Sequence, residues 1–185
     1  MIEKLFGSRS RVRILQLLML HPEQRFYIRE IARMLNEQMN AVRRELNNCE
    51  KLGIVTASEH QRKKYYSVAA NHNMIPFLRN LLVTALWTYD EAYIKALTEA
   101  GTVSGLLVLG FFMGNHNDAP VDVCIIGDIS SDKVRPLVEV WEKELHTHLR
   151  YTMMAKDEYA YRLSVSDRFL HSITQAPHIE LISPK

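Results

Sequence analysis

The chain has 185 residues, 47% of them apolar, with 23 Lys and Arg against 21 Asp and Glu, a formal charge of +2. That apolar content excludes a disordered chain, and no apolar run approaches the roughly 20 residues that a bilayer span needs. The start, MIEKLFGSRSRVRILQLL, has no uninterrupted hydrophobic stretch with a small-residue cleavage site, so no signal peptide is expected.

The near-neutral sum conceals a split. Residues 1–72 hold 13 Lys and Arg against 7 Asp and Glu, a formal +6, which leaves 10 against 14, or −4, for the remainder. A basic N-terminal part on an otherwise neutral chain suggests a polyanion partner for that part alone, against the plainer reading of a solvated basic face. Cys49 and Cys124 both sit in apolar patterns and read as buried small hydrophobes rather than a disulfide. A cytoplasmic protein with no membrane partner is the expectation.

In chain order, Ser8 is a candidate N-cap for a helix through Arg11–Leu20 with Val12, Leu15, Leu18 and Met19 facing inward. His21-Pro22 ends it, because proline disfavours helix in the residue before it. The run Phe6-Gly7-Ser8-Arg9-Ser10-Arg11 superficially resembles a Gly-Ser phosphate loop. Such a loop must follow a strand and precede paired acidic residues on a second strand, so the helix-cap reading is preferred.

A short helical pattern follows (Ile28, Ile31, Ala32, Leu35), then a polar turn, Asn36-Glu37-Gln38, then a second helical pattern with apolar Met39, Val42, Leu46 and Cys49 at spacings of three and four. Gly53 can adopt the left-handed conformation that stops a helix. Two strand-like runs, Ile54–Ser58 and Lys64–Val68, are joined by the basic tip Glu59-His60-Gln61-Arg62-Lys63. Helix, turn, helix and basic hairpin is the layout of a winged helix-turn-helix. The stretch from Val42-x-x-x-Leu46 to Leu52-Gly53-Ile54-Val55 resembles the end of the recognition helix and the entry to the wing in ArsR/MarR-type transcription regulators.

That resemblance implies a homodimer on double-stranded DNA. The outward face of the second helix carries Gln38, Asn40, Ala41, Arg43, Arg44 and Asn47. Gln and Asn can pair bidentately with adenine, and Arg with guanine or phosphate, from a helix lying in the major groove. The alternative is a polar helix surface with no ligand. Arg62, Lys63 and Lys64 on the wing, with Arg9 before and Arg11 at the start of the first helix, are candidate phosphate contacts that give affinity and salt sensitivity rather than sequence choice. Tyr65 and Tyr66 should point to opposite sides of the strand, one of them inward.

Residues 69–76 form a polar break, and domains are expected at 1–72, 73–100 and 101–185. The middle segment reads as one long helix from Phe77 to Ala100 (Phe77, Leu78, Leu81, Leu82, Ala85, Leu86, Tyr89, Tyr93, Ala96, Leu97), with Trp87 widening its stripe. It must bury that stripe against the C-terminal half or against its twin in a dimer, and the spacing leaves both open. No cysteine cluster accompanies the helix-turn-helix, and His146 and His148 read as structural at a helix end. No metal or cofactor is expected.

After Gly101 the pattern becomes strand (Leu106–Leu109), loop, strand (Val121–Ile126), helix (Asp132–Leu145), strand (Leu149–Met154), two helical stretches and a last strand (Ile179–Ile182). The whole is α+β. The frame VLGFFMGNHNDAPVDVCIIGD resembles the minimal nucleotidyltransferases similar to DNA polymerase beta. In those, a Gly-Ser turn holds triphosphate and an Asp-x-Asp strand binds two magnesium ions on one face. Here Phe111 stands at the serine, Pro120 replaces one aspartate, and Asp122 alone remains. The resemblance therefore implies a fold relative without transfer activity. A loop pocket at Gly110, Gly114, Asn115, His116 and Asp122 is left for a nucleotide or other anionic effector, against a reading of the loop as a mere connection. The rival from another class is an active antitoxin-type nucleotidyltransferase carrying a DNA-targeting domain. A third reading is a winged helix used only for protein contact.

Overall fold

The computed structural model describes residues 2–88 and 92–184. The fold is α+β, and the chain divides into two compact units that meet in sequence at Val83 and Thr84.

The first unit opens with α1 (Ile2–Phe6), a helix outside the sequence expectation. Gly7 takes a left-handed turn, and Ser8 then caps α2 (Arg9–Leu20), its side chain accepting from the Arg11 amide. Val12, Ile14, Leu15, Leu18 and Met19 are buried, as the spacing requires. β1 (Phe26–Tyr27) was not legible at two residues long, and it leads directly into α3 (Ile28–Leu35). Asn36, left-handed, turns the chain towards α4 (Met39–Lys51). α4 ends in a Schellman motif: the Ile54 amide donates to the Cys49 carbonyl at 3.1 Å and that of Gly53 to Glu50 at 3.0 Å. That geometry needs Gly53 at its positive φ of 74°.

β2 (Val55–His60) and β3 (Lys63–Val68) form the wing, and the sheet order is β1-β3-β2, all antiparallel. The joining loop is only Gln61-Arg62, shorter than the expected five residues, because Glu59 pairs with Lys64 and His60 with Lys63 in the ladder. Tyr66 points inward and is buried, whereas Tyr65 stays half-exposed on the other side. Val42, Leu46 and Cys49 of α4 are completely buried. Met39, the first of that apolar series, is 46% exposed and borders a surface depression with Asn36, Glu37, Gln38 and Asn40.

α5 (Ile75–Thr88) runs from the first unit into the second. Its first turns belong to the winged helix: the Arg79 Nε donates to the Met19 carbonyl at 3.1 Å, and the Gln16 amide to the Leu82 carbonyl at 3.3 Å. The segment 73–100 is thus shared between the units. The inward residues are Ile75, Leu82, Val83, Ala85 and Trp87, which leaves Phe77, 69% exposed, and Leu81 on the open side, contrary to the expected stripe. Tyr89 and the join between α5 and α6 (Ala92–Ala100) lie outside the described residues.

The second unit is a four-stranded sheet in the order β6-β5-β4-β7, formed by β4 (Gly101–Leu109), β5 (Val123–Ile129), β6 (Tyr151–Met154) and β7 (His178–Ile182). β5 and β6 are parallel, and the other neighbours are antiparallel. Alternation along the strands supplies two apolar faces. Leu107, Leu109, Cys124, Ile126 and Met154 pack with Leu170 and Ile173 of α9 (Arg168–Gln175) and with Tyr159 of α8 (Lys156–Ser164). Elsewhere in the unit, Trp141 of α7 (Ser131–Leu145) packs with Trp87 and Tyr93 at ring-centroid separations of 5.1 and 5.0 Å, and Phe112 stands 5.4 Å from Trp87.

Candidate nucleic-acid interface

A recognition surface requires polar side chains free on one face of a well-anchored helix. On α4, Asn40, Arg43, Arg44 and Asn47 are exposed, Gln38 at the N-cap is exposed, and Ala41 is half-buried. Arg43 is held by one internal bond, Nη1 to the Asn40 Oδ1 at 3.0 Å, which spans one helical turn and leaves its remaining donors outward. Arg44 reaches back to Glu45 at 3.4 Å while 68% of its side chain stays exposed.

Glu45 is the residue that sequence reasoning missed. It is 3% exposed, inside the stripe of Val42, Leu46 and Cys49. A carboxylate at that spacing was a readable signal, because a buried charge needs a partner. The partner is Arg11, whose Nε donates to Glu45 Oε2 at 3.0 Å while Nη2 lies 2.9 Å from the same oxygen as an ion pair. Arg11 Nη1 also donates to the Phe6 carbonyl at 2.8 Å. These contacts make Arg11 a brace between α2 and α4, where the sequence led to the expectation of a phosphate contact. Burial pushes the Glu45 carboxyl up, but the hydrogen bonds from Arg11 and Ser8 outweigh it and hold the pKa below the ordinary glutamate value.

Arg9 is largely exposed beside Glu3 at 3.4 Å. On the wing, Lys64 donates to Glu50 at 2.8 Å, a bond that raises its pKa, and stands 5.1 Å over the Tyr66 ring. Its charge is thus answered within the unit. Lys63 lies 5.7 Å over the ring of Tyr27, which meets Tyr65 edge-on at 6.0 Å.

Arg62 is at the tip with φ +60°, next to Gln61 at +48°. A two-residue hairpin loop with both φ values positive favours Asn-Gly, and ordinary side chains there cost roughly 1–2 kcal/mol each. The double change Gln61→Asn with Arg62→Gly is therefore expected to raise stability by about 1 kcal/mol, net of the backbone entropy of glycine. Denaturant midpoints check this, and an unchanged or lower midpoint would show that the tip carries no strain.

The loop of the second unit is built differently from a ligand pocket. Asp122, 0% exposed, accepts from the Phe111 amide at 2.8 Å, the Arg150 amide at 2.9 Å, Arg150 Nε at 3.0 Å and Arg150 Nη2 at 2.9 Å. The His116 Nδ1 adds a contact at 3.1 Å. Arg150 Nη2 also donates to the His116 carbonyl. A Cβ on Gly110, at φ +51°, would collide with Asp122 Oδ1, so the glycine makes room for that carboxylate. Asp122, expected to line the pocket, is instead withdrawn into a cage of donors, as is the Phe111 amide. His116 and Arg150 keep part of their side chains exposed, Gly114 closes the turn at φ +84°, and Asn115 caps the next one. Among the described residues, no group of three or more His, Cys, Asp or Glu is placed to hold a metal ion. Among them, too, no helix is long and apolar enough to cross a membrane.

The first unit is thus a winged helix-turn-helix with an exposed polar face on α4, and it is followed by an α/β unit with an internally neutralised carboxylate. Solved structures are similar to parts of the chain. A mutant of Lactococcus lactis ZitR has 22% identity over 48% of this chain and a TM-score of 0.37. The heme sensor protein PefR from Streptococcus agalactiae, in complex with heme, has 14% identity over 49% and a TM-score of 0.37. The adhesin competence repressor AdcR from Streptococcus pyogenes has 15% identity over 75% and a TM-score of 0.40. The matches span 61%, 67% and 81% of those chains respectively. No protein-family model and no curated protein matches the sequence.

Proposed function

We propose that the chain is a transcription regulator whose first unit binds double-stranded DNA, with α4 in the major groove and the wing tip on the adjacent backbone. The observation that carries this reading is the coincidence of Asn40, Arg43 and Asn47, all exposed on one helix, with exposed Arg62 and Lys63 at the end of a hairpin in the same unit. Base-edge readout needs such side chains on the helix, and phosphate contact needs cations on its flank. The +6 formal charge of residues 1–72 supports a polyanionic partner.

The test is selection of bound sequences from a random duplex pool, followed by mobility shift. Arg43→Ala is expected to weaken the selected duplex roughly tenfold, within the usual range for a guanine-reading arginine. Lys63→Ala should weaken all duplexes alike and lower the salt slope by about one. No retention of any duplex at low salt would favour the protein-contact reading instead.

The second unit we read as nucleotidyltransferase-like in layout, serving assembly or the sensing of an anionic effector. Its antiparallel β4–β5 pair with parallel β6 beside β5 supports this. A carboxylate already surrounded by protein donors argues against the active-enzyme rival, since each magnesium ion needs several free oxygens. Magnesium-dependent label transfer from ATP, lost in Asp122→Ala, would reverse that judgement. The open Phe77 and Leu81 side of α5 is the candidate homodimer contact.

A further inference from the structure

Two Ser-x-x-Arg pairs at the start of α2 each grip one glutamate of the helix-turn-helix. Ser8 Oγ donates to Glu45 Oε1 at 3.1 Å, and Arg11 Nε donates to Oε2 of the same carboxylate at 3.0 Å, with Nη2 in ion-pair contact at 2.9 Å. Ser10 Oγ donates to Glu37 Oε2 at 2.8 Å, and Arg13 Nη1 to Glu37 Oε1 at 3.2 Å. Glu37 lies in the turn before α4, and Glu45 lies near the middle of α4. α2 itself is fixed by a wholly buried row, Val12, Ile14, Leu15 and Leu18. A rigid helix therefore holds the recognition helix at two points, one at its entrance and one halfway along. Each point uses both oxygens of a carboxylate, which fixes direction as well as distance.

Neither glutamate faces outward as a base-reading group, and an acid near a phosphate would repel it. Their value lies in geometry. A phosphate contact tolerates a small displacement of its lysine or arginine, whereas a bidentate base contact holds only within hydrogen-bond distance and angle. We propose that Glu37 and Glu45 are positioning residues that set the angle of α4 and thereby sequence discrimination, with Arg11 and Arg13 serving as their internal counter-ions. This rests on the duplex-binding reading above.

The test compares the full chain with Glu37→Gln, using the duplex recovered by selection and a random duplex. Glu37 belongs to a surface turn, so this variant folds even if the buried Glu45→Gln does not. The ratio of the two affinities is expected to fall about tenfold. Random-duplex affinity should hold or rise, because Arg13 is released and a negative charge is lost. A merely structural lesion would instead lower both affinities together, and that outcome, or an unchanged ratio in a folded variant, overturns the assignment. If the unmodified chain binds no duplex at all, the duplex-binding reading itself has failed, and this inference falls with it.

Discussion

Replacing Asp122 by Asn should destabilise the second unit by about 3–5 kcal/mol, although the two side chains have nearly the same shape. The aspartate accepts on both oxygens and donates nothing. Its surroundings are all donors: the amides of Phe111 and Arg150, two guanidinium nitrogens of Arg150, and the His116 ring. An Asn amide would turn an NH2 group towards one set of these donors and would leave Arg150 without its counter-charge. Burial alone pushes the Asp122 carboxyl up. The Arg150 guanidinium, the two backbone amides and His116 outweigh it and hold the pKa below the ordinary aspartate value of 3.8. A folded pKa below the unfolded one contributes stability that is complete above the unfolded value and disappears as pH falls through the folded one. The wild type should therefore lose stability on acidification below about pH 4, and Asp122→Asn should lack that part of the acid limb. Thermal melts of both proteins between pH 3 and 7 measure it. Equal melting temperatures at pH 7 would mean that the cage contributes nothing, and the closed-pocket description would then be wrong.

Much of this organisation was legible because it rests on local rules. The Ser8 cap, the buried row of α2, the Gly53 stop and the inward turn of one of Tyr65 and Tyr66 all follow from periodicity or turn chemistry, and all appear as read. What escaped depends on partners distant in sequence. Arg11 looked like a phosphate ligand because its partner lies 34 residues away, on a helix whose buried carboxylate was not recognised. β1 has two residues and exists only through its pairing of Phe26 with Tyr66 and Tyr27 with Tyr65. The loop between β4 and β5 carries Gly110 and Asp122, which the sequence alone reads as pocket-lining residues. Whether Asp122 met solvent or Arg150 depended on a residue 28 positions on, just before β6. Composition showed the basic half correctly, but it could not separate cations already paired inside the fold (Arg11, Lys64) from those still outward (Arg43, Arg62).

Glu45→Ala is expected to cost about 3 kcal/mol in the stability of the first unit, because it strands the Arg11 guanidinium between α2 and α4. Arg11→Ala should cost a similar amount for the converse reason: it leaves a carboxylate that is 3% exposed without its main partner. The double variant Arg11→Met with Glu45→Leu removes both charges and supplies apolar volume, and it should recover most of the loss. Denaturant unfolding of the wild type, Arg11→Met, Glu45→Leu and the double variant closes the cycle and gives the coupling energy, expected above about 1 kcal/mol for groups in direct contact. Additive losses would mean that the two side chains act independently and that the 2.9 Å pair is incidental. The double variant separates two roles that the single changes confound. Apolar contacts can restore burial free energy, but they have no preferred direction, whereas the charge-assisted hydrogen bond from Arg11 to Oε2, with Ser8 on Oε1, fixes how α4 sits on α2. A double variant that is as stable as the wild type, but distinguishes selected from random duplex less well, would show that this charge pair is retained for the orientation of the helix rather than for its stability.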